Sequence, residues 1–323
     1  MTSRLGWLDA DEAQRRRMME VVDLFRDEGT VDELGIGSVA DAISNALFPG
    51  ISVLHTRLRY ALFVPWLVQE AVGTTRGSRD ATTALRRLEV RLIDSLILGT
   101  KALEKDASAG IIGVAARHRL KRMPSTIYST MLGRWGISMW ELGLEGHLRQ
   151  AAGTRLLALN TPAPDDPGMY RTVPDTGFAP SLPPAPKGLL EATSFALTPD
   201  EAEFLKFRIM ITTPGTLLSW LVEHPSGDDA TWLWGLPHLG EAPLPITTLV
   251  DHARRFHTAS HGAVLLYNLM LAEQAPGDHS PENYCLALAD WSSEVESTGC
   301  LHDWDRADFW VTIDGLNQEL LTW

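Results

Sequence analysis

The sequence predicts a mainly α-helical fold, and three observations support this prediction. Helix start signals are frequent, apolar residues recur at helical spacing, and alternating strand-like patterns are scarce. We expect a helical N-terminal part (1–160), a proline-rich connector (161–195) and a helical C-terminal part (196–323), with few short strands.

Helix start signals occur along most of the chain. In six places a Ser, Thr or Asp precedes an Asp or Glu by three residues, the spacing of a capping box. These pairs are Asp9 and Glu12, Thr30 and Glu33, Ser38 and Asp41, Ser138 and Glu141, Thr198 and Glu201, and Thr248 and Asp251. After Thr198, Pro199 would occupy the first helical position, where a missing N–H costs nothing. We therefore predict helices that begin close to these six positions.

Three apolar stripes have helical spacing, so we expect each to face a core. They are Met18, Val21, Val22 and Phe25; Leu85, Leu88, Leu92 and Leu96; and Leu265, Leu266, Leu269 and Met270. Strand-like clusters of aromatic and β-branched residues occur only in TWLW (231–234) and FWVTI (309–313).

Residues 161–190 interrupt the helical pattern. They hold eight of the 19 prolines, a density that excludes a helix and favours an extended connection. The chain stops at LNQELLTW, a helix-like pattern without a stop signal. We therefore expect that it is a shortened version of something longer.

Composition indicates a globular protein, with 45% hydrophobic and 21% charged residues. No apolar run reaches the roughly 18 residues that a membrane span needs. The first residues have no apolar segment of the kind a secretory signal contains. Cys285 and Cys300 are too few for a disulfide framework. We expect a soluble, cytoplasmic protein without a membrane partner.

The net charge of −13 is unevenly distributed. Residues 107–140 contain no Asp or Glu, whereas residues 271–323 carry eleven carboxylates and one arginine, Arg306. Two interpretations are open. In the first, the two regions have no ligand: they attract each other, or each is a solvated face. In the second, the basic region binds nucleic acid despite the overall negative charge.

The best nucleic-acid candidate is the segment 113–137, GVAARHRLKRMPSTIYSTMLGRWGI. Its basic residues are Arg117, Arg119, Lys121, Arg122 and Arg134. Pro124 opens a predicted helix whose polar residues, Ser125, Thr126, Tyr128 and Ser129, can contact phosphates. An alternative is that Tyr128 belongs to a stripe that faces the core.

No sequence motif fixes a reaction. There is no GxxxxGK[ST] loop and no GxSxG elbow, and we expect no cofactor. His257 and His261 are four residues apart, a spacing used in metal ligation, but HTASH lacks the glutamate of HExxH, and Gly262 would end the helix there. The pair is a weak metal candidate.

Three cations lie in the apolar stretch LFPGISVLHTRLRYALFVPW (47–66). His55 and Arg59 share a helical face, and Arg57 lies apart from them. They are candidates for binding an anion or for a structural ion pair, for instance with Asp41 or Glu70.

Several stretches resemble domain-of-unknown-function family 6361 of bacteria. They are GWLD (6–9), DELGIGSVADAISNALFPG (32–50), TRLRYALFVPW (56–66) and LKRMPSTIYSTMLGRWGI (120–137), with weaker similarity in LTPDEAEFLKFRI (197–209) and HGAVLLYNLMLAE (261–273). The resemblance implies an association with helicase and nuclease genes in phage-defence regions. It supplies no catalytic residues.

Our first hypothesis is a non-enzymatic component of an anti-phage defence system. It would act as a nucleic-acid or protein adaptor for a partner helicase or nuclease, with direct contact to DNA or RNA through the basic residues of 117–134. The alternative is a metal-dependent hydrolase that uses His257 and His261.

Overall fold

The computed structural model of the chain describes residues 35–75, 77–101, 109–160, 175–227, 230–274 and 281–316. Within these ranges it contains ten α-helices and no β-sheet, and its only strand-type pairing is an isolated bridge between Ser138 and Phe178. The predicted mainly α fold is confirmed.

The helices of the described ranges are numbered in chain order. They are α1 (Ile36–Leu47), α2 (Tyr60–Thr74), α3 (Ser78–Lys101), α4 (Pro124–Arg134), α5 (Leu144–Asn160), α6 (Pro199–Thr212), α7 (Leu217–Glu223), α8 (Leu244–Gln274), α9 (Pro281–Thr298) and α10 (Arg306–Leu316). Short 3-10 helices form at Arg117–Arg119, Leu233–Gly235 and Leu239–Glu241. None of the helices in the described ranges is long and apolar enough to span a bilayer.

The chain divides into two compact units. The described residues of the first unit are 49–75, 77–101, 109–160, 175–214 and 221–227, and those of the second are 35–48, 215–220, 230–274 and 281–316.

Helix α2 is at the centre of the first unit. It packs against α3, α4 and α5 and buries residues on all sides, including Tyr60, Phe63 and Trp66. The Tyr60 ring contacts those of Phe63 and Tyr128, with centroids 5.7 and 5.2 Å apart. A helix that is apolar all round needs neighbours all round, so α2 organises the core of this unit.

The described end of the proline-rich segment, residues 175–195, packs within the first unit. The Ser95 hydroxyl donates to the Leu189 carbonyl (2.6 Å), and the Thr193 N–H donates to the Ser95 carbonyl (3.1 Å). At Gly99 the approach is so close that a Cβ atom would lie 1.9 Å from the Thr193 carbonyl oxygen. Only glycine fits here, so the segment and α3 are closely fitted.

Helix α8 is the longest element of the second unit, and α1 and α9 pack against it, with α10 against α1. Gly262, expected to end a helix, is instead buried inside α8. A Cβ atom there would lie 2.3 Å from the Trp291 ring of α9. The glycine therefore permits close packing of two helices, and the predicted helix end is wrong.

One helix start was predicted correctly in detail. Thr198 and Glu201 form a reciprocal capping box, and Pro199 is the first residue of α6. Ser38 and Thr248 lie inside helices that begin earlier, and α5 begins beyond Ser138, at Leu144. The remaining two predicted starts, near residues 9 and 30, and the stripe at 18–25 lie outside the described residues.

Both predicted strands are wrong. In TWLW, Leu233–Gly235 forms a 3-10 helix. FWVTI belongs to α10, where Phe309 and Ile313 are both buried. These two residues are four apart and share one face of a helix, so burial at helical spacing overrides the local strand propensity.

Candidate functional site

The basic segment, residues 117–122, is held against α3 by hydrogen bonds to its backbone. The Arg86 guanidinium of α3 donates to the carbonyls of His118 and Leu120, both at 2.9 Å. Arg117 has a positive φ of 44° and forms an ion pair with Asp94 of α3. These contacts fix the path of the segment without using most of its cationic side chains.

Three cationic side chains of the segment, Arg119, Lys121 and Arg122, are exposed. On α3, Arg87 and Arg91 are exposed as well and share a helix face with Asp94, which contacts the segment. We call this surface the basic patch. It comprises Arg86, Arg87, Arg91, Arg117, Arg119, Lys121 and Arg122.

The arginines of α3 are not among the residues predicted from sequence. The stretch RRLEVR (86–91) carries three arginines among the residues of the apolar stripe that predicts this helix. The cluster of arginines is therefore visible in the sequence. Only the fold shows that they adjoin a segment more than 25 residues further along the chain, since Arg86 and His118 are 32 residues apart.

Arg134 lies away from the patch. It is the last residue of α4, and the patch adjoins the first. At 1.5 Å per residue the helix separates the two ends by about 15 Å. The backbone at Arg134 packs instead beside Gly50, where a Cβ atom would lie 3.0 Å from the Arg134 Cβ.

Helix α4 is a core element rather than a free recognition helix. Ser125, Tyr128, Met131 and Leu132 are buried, so two of the polar residues predicted to contact phosphates cannot reach a ligand. Of the others, Thr126 is exposed and Ser129 is half-buried. The alternative interpretation from the sequence, that Tyr128 belongs to a stripe facing the core, is therefore correct.

Glu89 of α3 is buried and contacts the start of α4. Its carboxylate accepts a hydrogen bond of 2.7 Å from the Ser125 N–H. Burial raises the pKa of Glu89 to about 7, against smaller opposing effects of its hydrogen bonds from Ser125 and the charge of Arg86. Glu89 therefore positions α4 relative to α3, and its carboxyl group titrates near neutral pH.

Residues 51–59 precede α2 and are not helical, so the predicted helical face shared by His55 and Arg59 is wrong. The Tyr128 hydroxyl holds the backbone of Thr56 and Arg57 instead. This hydroxyl accepts from the N–H groups of Thr56 and Arg57 (2.9 and 3.1 Å) and donates to the Arg57 carbonyl (2.9 Å). His55 accepts from the Ser52 N–H through Nδ1 (3.1 Å), and its Nε2–H donates to the Ile127 carbonyl (3.0 Å).

The two hydrogen bonds of His55 require the neutral ring. Protonation would place a hydrogen on Nδ1, which now accepts from a backbone N–H. Burial lowers the pKa of His55, and the bond to Ile127 opposes this effect only in part. His55 is therefore a neutral structural residue in this fold.

Arg59 forms a buried ion pair with Glu201, 2.7 Å between Nη2 and Oε1. Neither Asp41 nor Glu70, the partners considered from sequence, takes this place. The guanidinium also donates to the Ser194 carbonyl (2.7 Å). Because Glu201 closes the capping box of α6, Arg59 ties α2 to the beginning of α6.

His257 and His261 lie in α8 with nearly parallel rings, 6.0 Å between centroids. The rings of Trp232 and Trp234 stack on each other at 5.2 Å and contact His257 at 4.9 and 5.5 Å. Burial and the neighbouring His261 lower the pKa of His257. Among the residues that the structure describes, no group of three His, Cys, Asp or Glu side chains could hold a metal ion. The pair is thus part of an aromatic cluster.

An open pocket of about 340 Å³ lies in the second unit, between the start of α8 and the start of α10. Buried His252 donates to Asp308 through Nε2 (3.0 Å) and accepts from the Trp304 indole N–H through Nδ1 (3.2 Å). Arg255 pairs with Asp251 at 2.6 Å. These polar groups bind one another, and we assign the pocket no ligand.

Comparison with known proteins identifies the family. A family model described as a family of unknown function (DUF6361) matches residues 2–322, nearly the whole chain. The chain belongs to this family. Neither a curated protein nor a solved structure matches it. Membership in DUF6361 confirms the resemblance found in the sequence, and the description of the family names no activity.

Two of the stretches that resemble DUF6361 meet in the fold. TRLRYALFVPW (56–66) enters α2, and LKRMPSTIYSTMLGRWGI (120–137) contains α4. Tyr128 from the second stretch holds the backbone of the first, as described above. The Trp135 indole N–H donates to the Pro49 carbonyl at 2.9 Å. Much of this family signature is therefore used to build the core of the first unit.

Proposed function

We propose that the protein binds nucleic acid through the basic patch and acts as a non-enzymatic adaptor. The observation that carries this proposal is the exposure of Arg119, Lys121 and Arg122 on a backbone that α3 holds in place. Arg87 and Arg91 extend the positive surface along α3. Since the whole chain has a net charge of −13, a local concentration of cations is the surface on which a polyanion would dock.

The chemistry of the patch favours contact with phosphates over reading of bases. Arg and Lys side chains bind phosphate oxygens through charge-assisted hydrogen bonds. Helix α4, the element next to the patch, has its polar Ser125 and Tyr128 buried, so it offers few groups for base edges. Binding should therefore depend strongly on salt and only weakly on sequence.

The test is fluorescence anisotropy with a labelled DNA duplex and a labelled single-stranded RNA, between about 50 and about 200 mM salt. We compare the native chain with a variant carrying Arg119→Ala, Lys121→Ala and Arg122→Ala. If each side chain contacts one phosphate of the duplex, the variant should reduce the slope of log affinity against log salt by about 3.

A control variant carries Arg134→Ala and Lys206→Ala, which remove two exposed cations that belong neither to the basic segment nor to α3. Its affinity and salt dependence should equal those of the native chain. The proposal fails if the native chain binds neither probe at the lowest salt. It also fails if the triple variant binds as tightly as the control.

The wider role that we propose is in bacterial anti-phage defence, with a helicase or nuclease as partner. This part is supported by the family resemblance and by the absence of any sequence motif for catalysis. It predicts that the chain co-purifies with a helicase or nuclease encoded beside it, even after nuclease treatment. Recovery of the chain alone under these conditions contradicts the adaptor role and leaves the nucleic-acid test unaffected.

A further inference from the structure

The second half of α8 is apolar on all sides. Residues 263–272, AVLLYNLMLA, contain one polar side chain, Asn268. The stripe at Leu265, Leu266, Leu269 and Met270 was expected to face a core, but Leu266 is 52% and Met270 50% exposed. That expectation is wrong for these two residues. A helix that is hydrophobic all round is normally covered all round.

Helix α9 covers one side of this region. Trp291 packs against Gly262 and donates its indole N–H to the Thr258 carbonyl at 2.9 Å. Ala272, further along, is buried. α9 has no buried residue of its own, and its Leu286 is 67% exposed. The α8–α9 hairpin is therefore closed on its inner side and apolar on its outer side.

The outer side forms a continuous apolar surface. It comprises Val264, Leu266, Tyr267, Met270 and Leu271, each about half exposed, and we call it the hairpin surface. These residues recur at intervals of three and four along α8, so they lie side by side. Exposed apolar patches of this kind mark interaction sites on soluble proteins.

The negative charge of the α8–α9 hairpin favours a positively charged partner. Residues 256–298 contain six carboxylates and no Lys or Arg, and Glu273, Asp290, Glu294 and Glu296 among them are exposed. A second copy of the chain would bring the same negative charges to the interface, which is unfavourable. A partner with an apolar strip flanked by cations would complement both the apolar residues and the charge.

We propose that the hairpin surface binds a partner protein through an amphipathic helix whose apolar face is flanked by Lys and Arg. Helices of this type bind apolar grooves and surfaces through residues spaced at three and four positions. The carboxylates of α9 would lie beside the cations of the partner helix. This proposal concerns the second unit and does not depend on nucleic-acid binding by the basic patch.

The experiment uses the full chain and two synthetic amphipathic helical peptides. Both peptides have the same Leu positions; one has Lys on its polar face and the other has Glu. Isothermal titration calorimetry should show binding of the Lys peptide, weakened by salt, and no binding of the Glu peptide. Equal binding of both peptides, or of neither, overturns the proposal.

Two variants locate the binding site. Leu266→Ser with Met270→Ser should weaken binding of the Lys peptide about tenfold or more. The matched control, Leu244→Ser with Val311→Ser, removes two other exposed apolar side chains of the second unit, which are 77% and 71% exposed. It should bind as the native chain does. Equal loss in both variants places the peptide elsewhere.

A charge reversal provides a test without any change in the apolar residues. Glu294→Lys with Glu296→Lys should weaken binding of the Lys peptide and strengthen binding of the Glu peptide. Light scattering of the native chain should show a monomer at all concentrations. A dimer that Leu266→Ser with Met270→Ser converts to a monomer would show that a second copy occupies the surface, and the proposal would be wrong.

Discussion

The buried carboxyl group of Glu89 predicts that replacement by Gln stabilises the protein at alkaline pH. Glu89 is 2% exposed and accepts a hydrogen bond from the Ser125 N–H at the start of α4. Burial raises its pKa from 4.5 to about 7. Glu89→Gln preserves the size of the side chain and an oxygen acceptor for Ser125, but it cannot ionise.

The sign of the effect follows from proton linkage. Since the folded state holds the proton more tightly than the unfolded state, the stabilising contribution is complete below pH 4.5. It is lost as the pH rises through about 7. A tenfold change in proton affinity corresponds to about 1.4 kcal/mol, so the difference between the two pKa values amounts to about 3 kcal/mol. Glu89→Gln should therefore match the native chain at acidic pH and exceed its free energy of unfolding by up to about 3 kcal/mol at alkaline pH.

The assay is urea unfolding followed by circular dichroism, from about pH 5 to about pH 9. Half-buried His55 and buried His147 have lowered pKa values. They therefore destabilise both proteins as the pH falls, and this contribution cancels in the difference. If the two proteins lose stability in parallel above pH 7, Glu89 does not titrate as proposed. If the variant is the less stable one at alkaline pH, the charged carboxylate stabilises the start of α4 and the reasoning is refuted.

Two further substitutions test the packing of the first unit by the same unfolding measurement. Arg59→Met leaves the Glu201 carboxylate buried without its cation and should lower the free energy of unfolding by about 3–5 kcal/mol. The double variant with Glu201→Met should recover part of this loss. If the losses of the two single variants simply add in the double variant, the pairing is contradicted. Gly99→Ala places a methyl group against the Thr193 carbonyl and should cost about 3 kcal/mol. Gly153→Ala, in α5 with no atom within 4 Å of its Cβ, should instead stabilise by about 1 kcal/mol, and similar effects of the two glycine variants would refute the close approach.

The sequence patterns predicted where helices form better than they predicted which residues cover each helix. The stripe at Leu85, Leu92 and Leu96 is buried as expected, because a stripe on a helix in the middle of a unit finds neighbours. The equivalent pattern at Leu266 and Met270 remains exposed, since the sequence of a helix states which residues are apolar and not what covers them.

The site could be predicted only in part for a related reason. The cations of the basic segment are visible in the sequence because they are adjacent, whereas the cations of α3 join them through the fold. The partner of Arg59 is Glu201, 142 residues away. Asp41 and Glu70, the partners considered from sequence, lie only 18 and 11 residues from Arg59, and no local pattern points to Glu201.

The polar residues at 55–59 therefore have a different role from those of the basic patch. His55 and Arg59 direct their polar atoms to the backbone and to buried partners, so replacing either disturbs the core before it disturbs any surface. Arg119, Lys121 and Arg122 are exposed and can be replaced without loss of a core contact. Loss of binding in a folded variant can thus be obtained only from the second group. The cations at 55–59 thus stabilise the fold of the first unit, and the interactions that we propose involve the basic patch and the hairpin surface.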